Sequence, residues 1–413
     1  MATYIFRRFL LMIPTFLGIT ILVFVILQWV PGGPMEQELM RLRSSMMTSG
    51  EVGGGAGLSS GQLEISEKAV TQLKAFYGLN HSIPVRYLMW LGVWPKQIHI
   101  EKIKIPKGVS EWNVTLQTGD RVQLRKQNNI FNINDSRWKV DLLPSTTEQT
   151  EIKVYQTAFS GILTGNLGKS YTYSEPVWQL IKERLHISAY FGGISFFLSY
   201  LVCIPLGIVK AVKHNSRFDF WSSVLIFIGY SIPGWILGAV LLVYFGGGSF
   251  WNLFPLGEFR SEYFDYMTVS EKIVDQLHHT ILPVIAYMVS SFAILTVLMK
   301  NSLIENLSQD YIRTAFAKGL SERRVIFVHA VRNSLIPIAT GIGGILGIWL
   351  AGSYLIEKVF NIDGIGLLSY QAVIKRDYPI VLGFLVISTI IRLCGNLLSD
   401  CCYAFIDPRI RFK

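Results

Sequence analysis

The sequence predicts an all-α polytopic membrane protein with six transmembrane helices and a small β-rich outer domain inserted after the first helix. Apolar residues make up 51% of the chain and charged residues only 16%, and the mean hydropathy is +0.39. The apolar runs are interrupted by one long polar segment, 31–186, which contains short alternating, strand-like stretches. These observations predict the membrane class and the insertion, respectively.

A transmembrane helix needs roughly 20 apolar residues to cross the hydrocarbon core. Five runs reach that length without Asp, Glu, Lys or Arg: Phe9–Val30, Ile187–Val209, Phe220–Phe245, Thr280–Met299 and Ser334–Ile356. A sixth run, Pro379–Cys402, is interrupted by Arg392 and Asp400. We interpret the first run as a retained helix, because Trp29-Val30-Pro31 does not resemble the small-residue site at which signal peptides are cleaved.

The distribution of Lys and Arg predicts the orientation of the helices. With the N-terminus inside, most of the cations of the connecting segments face the cytoplasm. The short outer loops then hold only Arg260, Lys272, Lys358, Lys375 and Arg376. Both termini are therefore predicted to be cytoplasmic. The net charge of +10 follows largely from this arrangement and does not indicate nucleic-acid binding.

The predicted organisation has four parts. Residues 1–30 form the first segment and helix, and residues 31–186 form the outer segment, with the β-rich insertion at about 94–160. The five-helix core occupies 187–402 and includes a cytoplasmic loop at 300–333, and residues 403–413 form a cytoplasmic tail. Within the insertion, Val114–Thr118 and Val122–Leu124 flank the turn Gly119-Asp120, which predicts antiparallel strands.

The cytoplasmic loop contains a polar, basic segment that predicts a helix, a glycine stop and a second helix. Tyr311 to Lys318 can form two helical turns, and Gly319 can supply the left-handed residue after the helix. Ser321 can then cap a second helix, with Glu322 in its first turn. We interpret this elbow as a docking surface for a cytoplasmic partner. An ordinary basic loop is the alternative.

Catalytic and metal sites are not predicted. Gly168-Lys169-Ser170 has the end of a phosphate-binding loop, but Leu163 stands where that loop requires glycine. We therefore expect no nucleotide site in this chain. The four cysteines fall in or beside predicted spans and lack zinc-site spacing, and His278-His279 are adjacent and point in different directions on a helix.

Arg392 lies near the middle of the sixth predicted span, where a charge is costly unless it faces the helix bundle or water. Asn396 and Asp400 follow at i+4 steps and share its helix face. Two interpretations stay open: a polar stripe along a translocation path, or a structural pairing of Arg392 with Asp400 through Asn396 or water.

Several blocks of the chain resemble the permeases of ABC-type oligopeptide and dipeptide importers. The coupling-loop pattern comprises Thr314–Gly319, Arg332-Asn333 and Ile336-Pro337. Further blocks are Tyr4–Leu10, Val30–Pro34, Gly165–Ser170, Arg376–Pro379, Asn396–Asp400 and Asp407–Ile410. Phe245–Ser249 and Asn252–Leu256 are most similar to the Yej-type permeases, which import peptides including microcin C.

The resemblance implies half of a membrane pore in the bacterial inner membrane. The implied partners are a second homologous permease, ABC ATPase subunits that bind ATP and magnesium, a periplasmic or lipid-anchored substrate-binding protein, a peptide substrate and membrane lipid. The chain itself would bind no cofactor and catalyse no reaction. The coupling surface would comprise Tyr311, Thr314, Ala315, Ala317, Lys318, Gly319, Arg323, Arg324, Arg332 and Asn333.

In this picture Ala315 and Ala317 give close backbone contact in a groove of the ATPase, and Lys318, Arg323 and Arg324 supply charge at its rim. The insertion at 94–160 interrupts a block that is continuous in the family, and Arg392 stands where the family usually has an apolar residue. A transporter working alone, or a membrane sensor or scaffold that uses the outer domain, are the alternative functions.

Overall fold

The computed structural model describes residues 2–30, 32–33, 35–36, 38–40, 70, 79–106, 111–116, 118–127, 130–142, 149–248, 250–339 and 353–406. It divides the chain into two compact units, Met1–Val23 with Lys169–Lys413, and Phe24–Gly168. Most of the predicted tail, 403–413, and most of residues 31–78 lie outside the described residues.

The described residues are mostly helical. The α-helices are α1 (Ala2–Trp29), α2 (Ile83–Leu91), α3 (Val177–Val212), α4 (Arg217–Ser231), α5 (Gly234–Phe245), α6 (Val269–Leu307), α7 (Asp310–Ala317), α8 (Glu322–Arg324), α9 (Val331–Ser334), α10 (Tyr354–Val359), α11 (Ile365–Ile374) and α12 (Tyr378–Ile406). A π-helical segment, Val325–Ala330, joins α8 to α9. Short 3-10 helices occur at Ile162–Thr164 and Phe264–Tyr266.

Three described helices are long and apolar enough to cross a membrane: Phe6–Trp29, Val177–Val212 and Tyr378–Cys401. Two bent helix pairs raise the number to five if each pair is one span. Most of the fifth predicted run, at 340–352, lies outside the described residues. The membrane class is thus confirmed, and the count of six spans stays a prediction.

The third predicted span is not one continuous helix. It consists of α4 and α5, which meet at 94°, with Ile232 and Pro233 at the break. Proline has no N–H to donate and its ring excludes the preceding helical carbonyl, so a break at this residue has a simple steric cause. The run Phe220–Phe245, which its length predicts to be one span, is therefore bent at this proline.

Helices α3 and α6 form the main packing pair of the larger unit. One face of α3 buries a row of small residues: Ser188, Gly192, Ser195, Ser199, Cys203 and Gly207. A Cβ atom on Gly207 would lie 2.6 Å from the Cβ of Met299 on α6. Small side chains let helix backbones approach closely where lipid supplies no hydrophobic driving force.

The smaller unit contains six β-strands among its described residues: β1 (Lys96–Pro106), β2 (Glu111–Thr115), β3 (Arg121–Gln127), β4 (Ile130–Ile133), β5 (Trp138–Leu142) and β6 (Gln149–Ala158). They form two antiparallel three-stranded sheets, with strand orders β1-β6-β5 and β2-β3-β4. Both sheets contribute to one apolar core that includes Ile105, Leu124, Phe131 and Ile152. The β-rich region that the sequence predicts at 94–160 is therefore present.

The first and last strands of this region are neighbours. Lys96 at the start of β1 pairs with Ala158 at the end of β6. Just outside the strands, a Cβ atom on Gly161 would lie only 2.4 Å from the backbone nitrogen of Gly92. The chain therefore enters and leaves the β-rich region at nearly the same point.

Candidate functional site

The predicted elbow is a short helix held against the larger unit by one apolar face. Ile312 and Ala315 of α7 are buried in a cluster with residues from the ends of α3 and α6. Ile208 and Ala211 come from α3, and Met299 and Leu303 come from α6. The elbow is thus fixed to the helix pair that forms the core of the unit.

The opposite face of α7 is exposed. Thr314, Ala317 and Lys318 are solvent-exposed, and Phe316 exposes 47% of its surface. Ala315 exposes only 8%, so the expectation that it contacts a partner was wrong. A helix turns by 100° per residue, so one surface cannot present both Ala315 and Ala317. The predicted coupling surface does not include Phe316, which presents the largest exposed apolar side chain of this helix.

Gly319 ends the elbow helix in the predicted way. Its φ angle is +77°, in the left-handed region that favours glycine. The Gly319 amide donates to the Phe316 carbonyl at 2.9 Å, and the Leu320 amide donates to the Ala315 carbonyl at 3.4 Å. These two bonds define a Schellman motif, and Leu320 packs against the same apolar cluster as Ala315. The predicted glycine stop is confirmed.

The second helix begins after Ser321, as predicted. The Val325 amide donates to the Ser321 carbonyl at 3.0 Å, but the Ser321 side chain makes no capping hydrogen bond. The expected side-chain cap is therefore absent. Arg323, Arg324 and Arg332 are exposed and surround the elbow with positive charge.

Two predicted coupling residues that are distant in sequence meet beside the elbow. The Tyr311 hydroxyl donates to Asn306 Oδ1 at 2.8 Å, and Asn333 Nδ2 donates to the same hydroxyl at 3.1 Å. Below this bridge, Ser302 Oγ donates to the Ser334 carbonyl at 3.1 Å. These bonds tie α9 to the end of α6. The segments before and after the elbow are therefore both held by α6.

Arg392 does not pack among the helices of its own chain. Its side chain and that of Asn396 are exposed, although α12 is the sixth apolar run. Asp400 lies 3.3 Å from Arg8 Nε of α1, so its direct ion pair in this structure is with Arg8. Among the described residues, none forms an ion pair with Arg392.

A buried charge network that sequence analysis missed lies at the same end of α3 and α6 as the elbow. Lys210 is 1% exposed and Asp219 is 5% exposed. Lys210 Nζ lies 3.2 Å from Asp219 Oδ1, and Lys300 Nζ lies 2.7 Å from Asp219 Oδ2. The sequence offers one signal, the spacing of Ser216 and Asp219, but that spacing predicts a helix cap and no ion pair.

Two more buried acids, missed in the sequence, organise the opposite end of the unit. Glu357 of α10 is 0% exposed. It accepts hydrogen bonds from Ser188 Oγ at 2.8 Å and from the Leu367 amide at 2.7 Å. Asp377 accepts a hydrogen bond from Ser170 Oγ at 2.6 Å. A buried carboxylate with partners on several elements fixes their relative positions, because losing a partner leaves a charge unpaired.

The arrangement defines an α-helical membrane protein whose apolar core carries one exposed, basic elbow. The family model described as "Binding-protein-dependent transport system inner membrane component" matches residues 203–412. This chain belongs to that family of inner-membrane transport components. The match begins after the β-rich region and includes the elbow and α12.

Three relatives match along their full length. "Peptidoglycan transport system permease protein YejB" of Agrobacterium fabrum is 34% identical over 414 residues, covering 100% of this chain and 99% of that protein. "Inner membrane ABC transporter permease protein YejB" of Escherichia coli O157:H7 is 34% identical over 416 residues, with 100% of both chains covered. "Dipeptide transport system permease protein DppB" of Escherichia coli is 30% identical over 429 residues, again with 100% of both covered. The predicted resemblance is confirmed.

Proposed function

We propose that this chain forms half of the translocation pore of an ATP-driven importer for peptides or peptide-like compounds. Three observations support the proposal: the family membership, the relatives named for dipeptide and peptidoglycan transport, and the exposed basic elbow. The elbow is the main structural support. It is a charged helix outside the apolar helices, and its buried face holds it in place, as expected of a docking site for a cytoplasmic partner.

The proposed assembly contains a second homologous permease, two ATPase subunits or domains and a periplasmic or lipid-anchored substrate-binding protein. ATP and magnesium would bind to the ATPase. The assembly would lie in the bacterial inner membrane, with both termini of this chain in the cytoplasm. The long β-rich segment would then face outward.

Movement would pass from the ATPase to the pore through the apolar cluster under the elbow. The exposed face, with Thr314 and Ala317, would enter a groove of the ATPase, and Phe316 and Lys318 would lie at its rim. The buried face would press on the ends of α3 and α6. Protein cores are close-packed and transmit small displacements instead of absorbing them.

We also propose that Arg392 faces the translocation path. Exposure of an arginine to lipid at the centre of a span costs at least about 2.5 kcal/mol on insertion scales. Arg392 is exposed on the isolated chain, so a second permease or a water-filled path must cover it in the membrane. The stripe of Arg392 and Asn396 would attract the C-terminal carboxylate of a peptide.

The proposal is tested by reconstituting this chain with the permease, ATPase and binding protein of the same transport system in lipid vesicles. Peptide uptake should require all components and ATP. Ala317→Cys should form a crosslink to the ATPase, whereas Ala315→Cys, which is buried, should not. Uptake by this chain without any ATPase would support a stand-alone transporter and contradict the proposal.

A sensor or scaffold predicts a different result. In that case ligand would bind to the outer domain, no labelled peptide would enter the vesicles, and the Ala317→Cys crosslink would be absent.

A further inference from the structure

The buried network at the end of α3 and α6 holds two positive charges and one negative charge. Lys210 Nζ donates to the Asp219 carbonyl at 3.0 Å, to Ser222 Oγ at 2.6 Å and to Ser223 Oγ at 2.8 Å. Lys300 Nζ donates only to the two Asp219 carboxylate oxygens, at 2.8 and 2.7 Å. No other carboxylate in the described ranges forms an ion pair with either lysine. The network therefore keeps one uncompensated positive charge.

The turn above this network adds more positive charge. Lys213 and Arg217 are exposed. His214 Nδ1 lies 3.4 Å from Asp219 Oδ2, the same oxygen that Lys300 contacts at 2.7 Å. His214 and Lys300 thus flank one oxygen atom. Asp219 is the one acid between positions 210 and 223, and both lysines already use it.

The turn lies where two apolar helices end. It joins the last residue of α3, Val212, to the first residue of α4, Arg217. Phe220 and Trp221, in the first turns of α4, expose 62% and 67% of their surfaces. An exposed Trp at the end of a membrane helix is typical of the membrane–water interface. Cations and aromatics together place this turn at the level of lipid headgroups.

We propose that this turn binds the phosphate of an anionic phospholipid in the inner leaflet. Lys213 and Arg217 supply the exposed positive charge, the uncompensated charge of the network below adds to it, and Phe220 with Trp221 contact the acyl chains. The assignment to the inner leaflet rests on the proposed function, which puts the turn on the cytoplasmic side. A lipid fits better than a soluble anion because the aromatic rings need an apolar neighbour that water does not provide.

The test uses the full chain in its assembled transporter, embedded in nanodiscs of phosphatidylcholine with a minority of phosphatidylglycerol. Lipids that remain bound after mild detergent extraction are counted by native mass spectrometry. The double variant Lys213→Gln with Arg217→Gln should lower the retention of phosphatidylglycerol relative to phosphatidylcholine by about fivefold for each cation removed. These two exposed residues can change without disturbing the contacts of Lys210 and Lys300 with Asp219.

The matched control is Arg260→Gln with Lys272→Gln. These cations lie 4.9 Å and 5.5 Å from the ring of Phe264, so the control removes the same charge beside an aromatic side chain in another loop. It should keep wild-type retention. Unchanged retention in the first double variant, or an equal loss in the control, would overturn the lipid site.

A third arm adds inorganic phosphate. If millimolar phosphate displaces the lipid, the turn binds soluble anions and the lipid assignment is overturned. The outcome is separable from that of the proposed function. A wild-type complex that retains phosphatidylglycerol but shows no binding-protein-dependent ATP hydrolysis contradicts the transport proposal and supports the lipid site.

Discussion

At the scale of single residues, Gly319 controls the elbow through its backbone conformation. Its φ angle is +77°, yet a Cβ atom there would meet nothing within 4 Å. A substitution at this position therefore meets a conformational cost and no steric clash with neighbours. L-residues pay roughly 1–2 kcal/mol in the left-handed region, and Asn pays less because its side chain bonds locally.

Gly319→Val should misplace the elbow helix and uncouple transport. Both peptide uptake and stimulation of ATP hydrolysis by the binding protein should fall, while assembly with the ATPase persists. Gly319→Asn is the matched control and should keep most of both activities. Normal uptake and stimulation in the valine variant would show that the glycine stop is dispensable.

Arg392 is the second residue whose surroundings decide its role. If it faces the translocation path, Arg392→Leu should alter uptake of peptides with a free C-terminal carboxylate more than uptake of amidated peptides. The complex should still assemble. The control is Arg392→Lys, which keeps the charge. Equal effects of the leucine variant on both kinds of peptide would contradict a carboxylate contact.

Accessibility gives an independent measurement for the same residue. Arg392→Cys, in a background without the four native cysteines, should react with a water-soluble thiol reagent, and substrate should slow the reaction. Complete protection with and without substrate would place the residue in a dry interface with the second permease.

At the scale of elements, the β-rich region has the geometry of a separable insertion. Its first and last strands pair at Lys96 and Ala158, and paired residues on antiparallel strands lie only about 5 Å apart. Its core belongs to its own two sheets. A short bridge can therefore replace the whole region without stretching the flanking chain.

Deleting Pro95–Thr157 and inserting a short Gly/Ser bridge should leave the helical core able to assemble with its ATPase. Co-purification of the subunits measures this. A control deletion of Pro95–Leu142 removes β1 to β5 and leaves β6 without a neighbouring strand, so this variant should express poorly. Failure of the first deletion to assemble would make the β-rich region part of the permease core.

The close pairing of α3 with α6 gives a second prediction for an element. Gly207→Ala should destabilise the protein by about 1–3 kcal/mol, because its new Cβ would lie 2.6 Å from Met299 Cβ. Gly229→Ala is the matched control, since nothing lies within 4 Å of its Cβ. The measurement is the thermal midpoint in detergent. Equal midpoints for the two variants would mean that the helices move apart at little cost.

At the scale of the whole molecule, the orientation in the membrane follows from the distribution of Lys and Arg. With both termini inside, Ala317→Cys should react only with reagents added to the cytoplasmic side. Tyr263→Cys, at a position 71% exposed in the native protein, should react only from the outside. Both variants need a background without native cysteines. The reverse pattern would invert the topology and contradict both the proposed docking of the ATPase and the inner-leaflet lipid site.

The sequence by itself determined the membrane class, the presence of a β-rich insertion and the glycine stop of the elbow. Each of these depends on local properties: the length of apolar runs, the two-residue period of strands, and the steric freedom of Gly319. The sequence also predicted the family, because short motifs around the elbow are typical of its members.

Only the tertiary structure decided which helix face touches what. The period of α7 places Ile312 and Ala315 on one face, but packing against α3 and α6 was needed to show that this face is buried. Likewise, two arginines are candidate partners of Asp400: Arg392 on its own helix and Arg8 on α1. The position of α1 places Arg8 beside Asp400. The network of Lys210, Asp219 and Lys300 joins three helices, so no single segment predicts it. Contacts between distant segments depend on how helices are arranged in space, and a linear pattern of residues does not contain that information.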